Sequence, residues 1–152
     1  MDTKTKLPKV LSGVAGEYFV AAELSRRGYI ASITLRNTRG VDILVANADV
    51  SKSVGIQVKT NQNSVRSWMM NEKVESIVSE DLFYVFVNLN GDSAQPTYHI
   101  VPSEIVATYT RTSHAEWLGS AGRGGRIRKD NPMRKFSDEE GKYLGAWELL
   151  GL

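Results

Sequence analysis

A mixed α/β domain, with antiparallel pairing early in the chain and helices flanking a sheet, is the fold class this sequence predicts. Three observations carry that expectation. Residues 12–27 repeat apolar side chains at helical spacing. Residues 39–60, RGVDILVANADVSKSVGIQVKT, hold two apolar runs about a polar turn, the pattern of a hairpin. Residues 82–89, LFYVFVNL, are apolar almost throughout, as in a central strand covered on both faces.

The elements follow in order. Ser12 can cap the opening helix and Gly28 can stop it. At about 100° per residue, Val14, Tyr18, Ala21, Ala22 and Leu24 gather on one side, the expected buried stripe. Glu17 falls at its margin. Glu23 lies on the polar side, where Arg26 or Arg27 can pair with it. Residues 29–36 read as a strand, 41–47 and 54–60 as the hairpin arms, and 61–68, NQNSVRSW, as a polar loop. A short helix is expected around 72–80. Asn90-Gly91 signals a turn between the central strand and a partner at 97–101. Ser103 can cap a helix running to about residue 110. Residues 119–131 are loop by composition. Residues 137–150 read as a closing helix, with Tyr143, Leu144, Trp147 and Leu150 turned to the core. No repeat or linker divides the chain, so residues 1–152 read as one domain, with 1–9 expected to be flexible.

Composition narrows the function classes. There is no cysteine, which excludes disulfides, thiolate catalysis and cysteine-based zinc sites. No apolar run reaches the ~18 residues of a membrane span, and the N-terminus is polar, so a cytoplasmic location without membrane partners is expected. The net charge of +2 says little about partners. Its distribution says more. Between residues 111 and 135, Arg111, Arg123, Arg126, Arg128, Lys129, Arg134 and Lys135 face only Glu116 and Asp130. Such a segment is either a solvated basic loop or a contact for a phosphate backbone. The GRGGR stretch at 122–126 lacks the Gly-Lys-Ser/Thr ending of a phosphate loop.

The hairpin holds the candidate site. Asp42 sits in the first arm, Gln57 and Lys59 in the second, where a core would take Val or Ile. If the hairpin is symmetric about a point between Asp49 and Val50, Asp42 stands opposite Gln57, with Cβ atoms ~5 Å apart. Gln57 and Lys59 share one face, and Ile56 and Val58 the other. A Glu17 carboxylate turned toward the sheet needs a compensating cation or lysine. Carboxylate and amide oxygens form a hard set that suits Mg²⁺ or Mn²⁺. The competing reading is an Asp42–Lys59 cross-strand ion pair, with Gln57 bonding backbone. His99 and His114 form no ligand motif and read as structural.

GVAGEYFVAAELSRRGY, then GVDILV, then IQVKT resembles the PD-(D/E)XK nuclease superfamily, the restriction-endonuclease-like fold. The match runs over residues 12–101, with an αβββαβ core followed by a helical C-terminal extension. The Gln57-Val58-Lys59 form is similar to the QxK variant of Mrr-type restriction enzymes. The resemblance implies metal-dependent hydrolysis of DNA phosphodiesters. It implies Asp42 as main metal ligand, Gln57 and the Val58 carbonyl as further oxygens, Glu17 as holder of a metal-held water or second ion, and Lys59 as positioner of the attacking water. It also implies a homodimer or a place in a restriction or repair assembly. Gln57 departs from the usual carboxylate and removes one negative charge. A nucleic-acid-binding module of the same fold that cuts weakly or not at all is therefore the alternative, and a structural oligomerising protein is a third. Arg123, Arg126, Arg128, Lys129 and Asn61 are the candidate DNA contacts. Gln62, Asn63 and a stacking Trp68 adjoin the site; Trp68 with Met69 and Met70 can equally cover an apolar edge or a dimer contact. Trp117 reads as core or interface.

Overall fold

The computed structural model describes residues 5–35 and 40–152. Residues 1–4 of the expected flexible segment and residue 36 of the first expected strand lie outside this range. Helix α1 spans Lys9–Arg26. Strands β1 (Ile30–Ile33), β2 (Ile43–Ala46) and β3 (Ser53–Asn61) follow, then β4 (Ser67–Asn71) and a 3-10 turn at Glu72–Glu75. Next come β5 (Leu82–Asn88), β6 (Thr97–Pro102), helix α2 (Ser103–Gly119), β7 (Met133–Ser137) and a closing 3-10 turn at Trp147–Leu150. The main sheet runs β1-β2-β3-β5-β6, and β4 pairs with β7 in a second, two-stranded sheet. β1, β2 and β3 are antiparallel neighbours, β3 and β5 are parallel, and β5 and β6 are antiparallel. This is the mixed α/β arrangement, a mixed sheet flanked by helices, expected from the sequence.

Two cores cover the two faces of the main sheet. On one face, Val20 and Leu24 of α1 pack on Ile43, Val45, Ile56 and Val85, closed off by Trp147 and Leu150. On the other, Tyr84 and Phe86 meet Trp68, Met70, Val74, Val106 and Phe136. All seven residues of β5 are buried, as its apolar run requires. The Asn90 and Gly91 turn residues both take positive φ, although their connection spans residues 89–96.

Several expectations are corrected. The helix opens at Lys9 behind Pro8, not behind Ser12, because proline presets the backbone and lacks an N–H that would go unbonded. Its buried stripe is Ser12, Gly16, Val20 and Leu24, while Tyr18 and Phe19 face outward. Ser103 is not a cap; Pro102 precedes α2 and the Ser103 hydroxyl donates to the Ser79 carbonyl at 2.8 Å. The polar 61–68 loop runs into β4, and the 72–80 helix is only a 3-10 turn. The expected 137–150 helix is instead the end of β7, a series of turns and a 3-10 turn, broken by Gly141 and Gly145 at φ +70° and +65°. The helical part of the C-terminal extension is α2, which runs to Gly119.

Gly16 explains how α1 is seated. A Cβ there would collide with Thr60 Oγ1 and crowd Thr60 Cγ2, so only glycine lets the helix lie this close to β3. Gly16→Ala gains helix propensity of up to ~1 kcal/mol, but overpacking costs about 1–3 kcal/mol. Rotating a β-branched threonine only exchanges hydroxyl for methyl. A lower urea midpoint is therefore expected, restored when Thr60→Ala is added; an unchanged midpoint for Gly16→Ala alone would contradict this packing.

Candidate active site

The hairpin has the register its sequence implies. Ile43 pairs with Ile56 and Ala46 with Ser53, so one further step sets Asp42 beside Gln57. Here the ladder ends. β2 goes no further, whereas β3 continues to Asn61 paired only with β5. Asp42 closes this fork. Its backbone N–H donates to the Ile56 carbonyl at 2.8 Å, and its Oδ2 accepts the Val58 N–H at 2.7 Å. A carboxylate bonded to a strand N–H lies along the edge of the strand rather than over either face. Residues of a strand aim N–H and C=O at the same edge, so the Val58 carbonyl shares that edge with Asp42. Thr34 fixes the bend from below, its hydroxyl donating to the Val41 carbonyl at 2.7 Å.

Gln57 and Lys59 project into a cleft of about 590 Å³ on the face away from α1. Its other walls include Gly40, Asn71, Lys73 and Tyr84. Burial pushes the Tyr84 phenol up to about 12, so it stays protonated at neutral pH and can only serve as a neutral polar group. Two lysines and no carboxylate line the cleft among the described residues, a balance suited to a phosphate. Asp42 and Lys59 form no ion pair with each other among the described residues; the Asp42 carboxylate bonds the Val58 N–H instead. Lys73 was not legible as a site residue, because it depends on the 3-10 turn folding back over β3.

Glu17 comes from the other layer. It follows Gly16, which rests on Thr60, so α1 crosses β3 near Thr60, three residues beyond Gln57. Glu17 is half-buried there. The structure thus puts the Asp42 carboxylate and the Val58 backbone on one strand edge, the Gln57 and Lys59 side chains in the cleft on the face away from α1, and Glu17 on the helix that covers the opposite face. No group of three His, Cys, Asp or Glu side chains converges as a metal site among the described residues. The donor set at the fork is one carboxylate, one amide and a backbone carbonyl, and its all-oxygen chemistry fits Mg²⁺ or Mn²⁺.

The residues flanking the site divide differently from expectation. Asn61 spends its amide on its own loop, donating to the Val65 and Ser67 carbonyls at 3.0 and 2.7 Å. Gln62 clamps Leu7 through both backbone groups, at 2.9 and 2.6 Å. Asn63 accepts the Val65 N–H at 3.1 Å. Trp68 is neither a stacking platform nor an edge cover: it is buried, with Nε1 donating to the Val87 carbonyl at 3.1 Å. Arg134 is also buried, bonded to Glu75 at 2.6 Å. Arg123, Arg126 and Lys129 are exposed in the 119–131 segment. Arg128 lies 4.7 Å from the Trp117 ring centroid. Glu23 pairs with Arg26 and Arg27 as its wheel position implies. His99 is a structural histidine, bonded to Asp138 at 2.6 Å.

No helix among the described residues is long and apolar enough to cross a membrane. No family model matches the chain, and no curated protein matches it. Among solved structures, a bacterial homing endonuclease, I-Ssp6803I, is similar over 96% of this chain and 94% of that one, with a TM-score of 0.55 and 12% identity. Hjc, a Holliday junction resolvase from Archaeoglobus fulgidus, is similar over 78% and 85%, with a TM-score of 0.43 and 13% identity. The likeness to the homing endonuclease, at nearly full length, is one of fold.

Proposed function

We propose that the chain is a DNA nuclease of the PD-(D/E)XK type, in its QxK form, dependent on Mg²⁺ or Mn²⁺. The observation that carries this reading is the fork itself: Asp42 bonded to Val58 N–H at 2.7 Å, with Gln57 beside it and Lys59 reaching into a lysine-lined cleft. Asp42, Gln57 Oε1 and the Val58 carbonyl would hold the cation, with Glu17 approaching from the helix side. When bound, the cation supplies positive charge at the scissile phosphate and makes water more acidic. Lys59 orients the attacking water and offsets the charge that grows on phosphorus-bound oxygen. Lys73 draws the neighbouring phosphate into the cleft. Gln57 contributes an oxygen without a charge, so the free protein attracts a cation less strongly than a two-carboxylate site. A substrate phosphate would supply the further oxygens such a cation needs.

Gln57 also favours the second reading, a DNA-binding module that has lost cleavage. Incubating the purified chain with DNA and Mn²⁺ separates the two. Cleavage that EDTA stops supports the nuclease; salt-sensitive binding without cleavage supports the module.

A further inference from the structure

A second cavity, of about 420 Å³, opens between α2 and the β4–β7 sheet. It does not belong to the fork. Met69 and Met70 are consecutive on β4 and point to opposite faces; Met69 lines this cavity and Met70 the cleft of Lys59. The cavity walls are Met69, Tyr109, Trp117 and Met133, with His114 and Lys135 at polar positions. Met69 and Met133 are each 56% exposed, so apolar surface is held open here rather than filled. Trp117 is braced: His114 stacks on it with ring centroids 5.5 Å apart, and the Arg128 guanidinium covers it. The partner of His114, at 2.7 Å, is Asp130. Arg128 donates Nη2 to the Ala121 carbonyl, while its buried Nε has no partner. Arg123, Arg126 and Lys129 are exposed in the segment that carries Arg128.

An apolar, aromatic slot with Lys135 in its wall and Arg128 over Trp117 matches the two faces of a single nucleic-acid strand, flat bases and charged backbone. A duplex offers only its backbone, since its bases are stacked inside. A neutral apolar peptide would leave Arg128 and Lys135 without a role. We infer that this cavity takes an unstacked nucleobase of single-stranded DNA, with the flanking phosphates on Arg128, Lys135 and the 123–129 segment. The inference rests on the DNA reading above and deepens it: substrates with a single-stranded part, such as flaps, ends or junctions, would engage both the fork and this slot.

The test uses the full chain in EDTA, so that nothing is cut, with a twelve-residue thymidine oligonucleotide and a twelve-base-pair blunt duplex as probes. Trp68 and Trp147 are buried, so a change in tryptophan emission on binding reports Trp117. The single strand is expected to quench emission and to bind more tightly than the duplex. Trp117→Ala should weaken single-strand binding about tenfold or more, while the salt dependence of binding stays the same, because no phosphate contact is removed. Met133→Ala, on the opposite wall, gives the same direction of change should Trp117→Ala fail to fold. Equal affinity for both probes with no loss in either variant overturns the slot and leaves the nuclease reading standing. Absence of binding to either probe at low salt overturns both. Self-association abolished by Met69→Asp or Met133→Asp, without single-strand binding, would assign the groove to a second copy and overturn the inference.

Discussion

Lys59→Ala lowers Mn²⁺-supported DNA cleavage by about 10²–10³-fold if the fork is the active site, the usual loss when one charge-stabilising group is removed. Lys59 is half-buried on β3, its side chain turned into solvent-filled cleft rather than into either core. Removing it opens no cavity, so the unfolding midpoint should move little while activity falls. Asp42→Ala has a different signature. It also removes the acceptor of the Val58 N–H, and leaving a partly buried donor unbonded costs about 1–3 kcal/mol. Asp42→Asn keeps an acceptor oxygen for that N–H but loses the charge. Asp42→Asn should therefore fold nearly as well as the parent chain and still cut as poorly as Asp42→Ala. Initial rates on a supercoiled plasmid, read beside urea midpoints, check both. Cleavage undiminished in Lys59→Ala and Asp42→Asn would remove the assigned chemistry.

Asp138→Ala is expected to be the most destabilising single change. The Asp138 carboxylate ties the C-terminal segment to the sheet through three donors. It bonds His99 Nδ1 at 2.6 Å, the Tyr143 N–H at 3.0 Å and the Lys142 N–H at 2.9 Å. His99 is fully buried on β6 against Trp68. Truncating one partner of such a buried pair costs about 3–5 kcal/mol, a large share of the ~5–15 kcal/mol that holds a domain folded. The same cluster sets a pH dependence. Burial alone raises the Asp138 carboxyl, but the hydrogen bond from His99, that from Tyr143 N–H and the remaining contacts outweigh it and hold the group below its ordinary 3.8. A depressed carboxyl stabilises the fold above its unfolded value, near pH 3.8, and loses that contribution as pH falls through the lower folded value. Urea midpoints from pH 6 to pH 2 should fall less steeply for Asp138→Asn than for the parent chain. Parallel curves would show that this carboxyl carries no such linkage.

The hairpin register was legible because turn symmetry and side-chain alternation both depend on sequence alone. Asp42 and Gln57 meet as their spacing requires. The central strand was legible from sequence as well, since the six consecutive apolar residues Leu82 to Val87 suit a strand covered on both sides. The seating of α1 was not. The helix carries two stripes that meet at Leu24: the apolar one read from the sequence, through Val14, Tyr18 and Ala21, and a stripe of Ser12, Gly16 and Val20. Periodicity selects the more apolar, but the sheet accepts the one that lets backbones approach most closely. Tyr18 is left outward at 64% exposure. β4 and β7 escaped notice because each needs the other. MRKFS alternates out and in, but its inward Arg134 is tolerable only where Glu75 meets it. The closing helix was a false reading of Tyr143, Leu144, Trp147 and Leu150 at helical spacing. Gly141 before them and Gly145 among them turn left-handed and fold the segment into a clasp over Tyr98. Within the site, Lys73 and Tyr84 join through tertiary structure alone.

The most direct test of the fork is the anomalous scattering of Mn²⁺ soaked into crystals of the parent chain. The account predicts a peak within coordination reach of the Asp42 carboxylate, Gln57 Oε1 and the Val58 carbonyl, absent from Asp42→Asn crystals treated alike. A peak that persists there in Asp42→Asn, or Mn²⁺ bound only elsewhere on the chain, would contradict it.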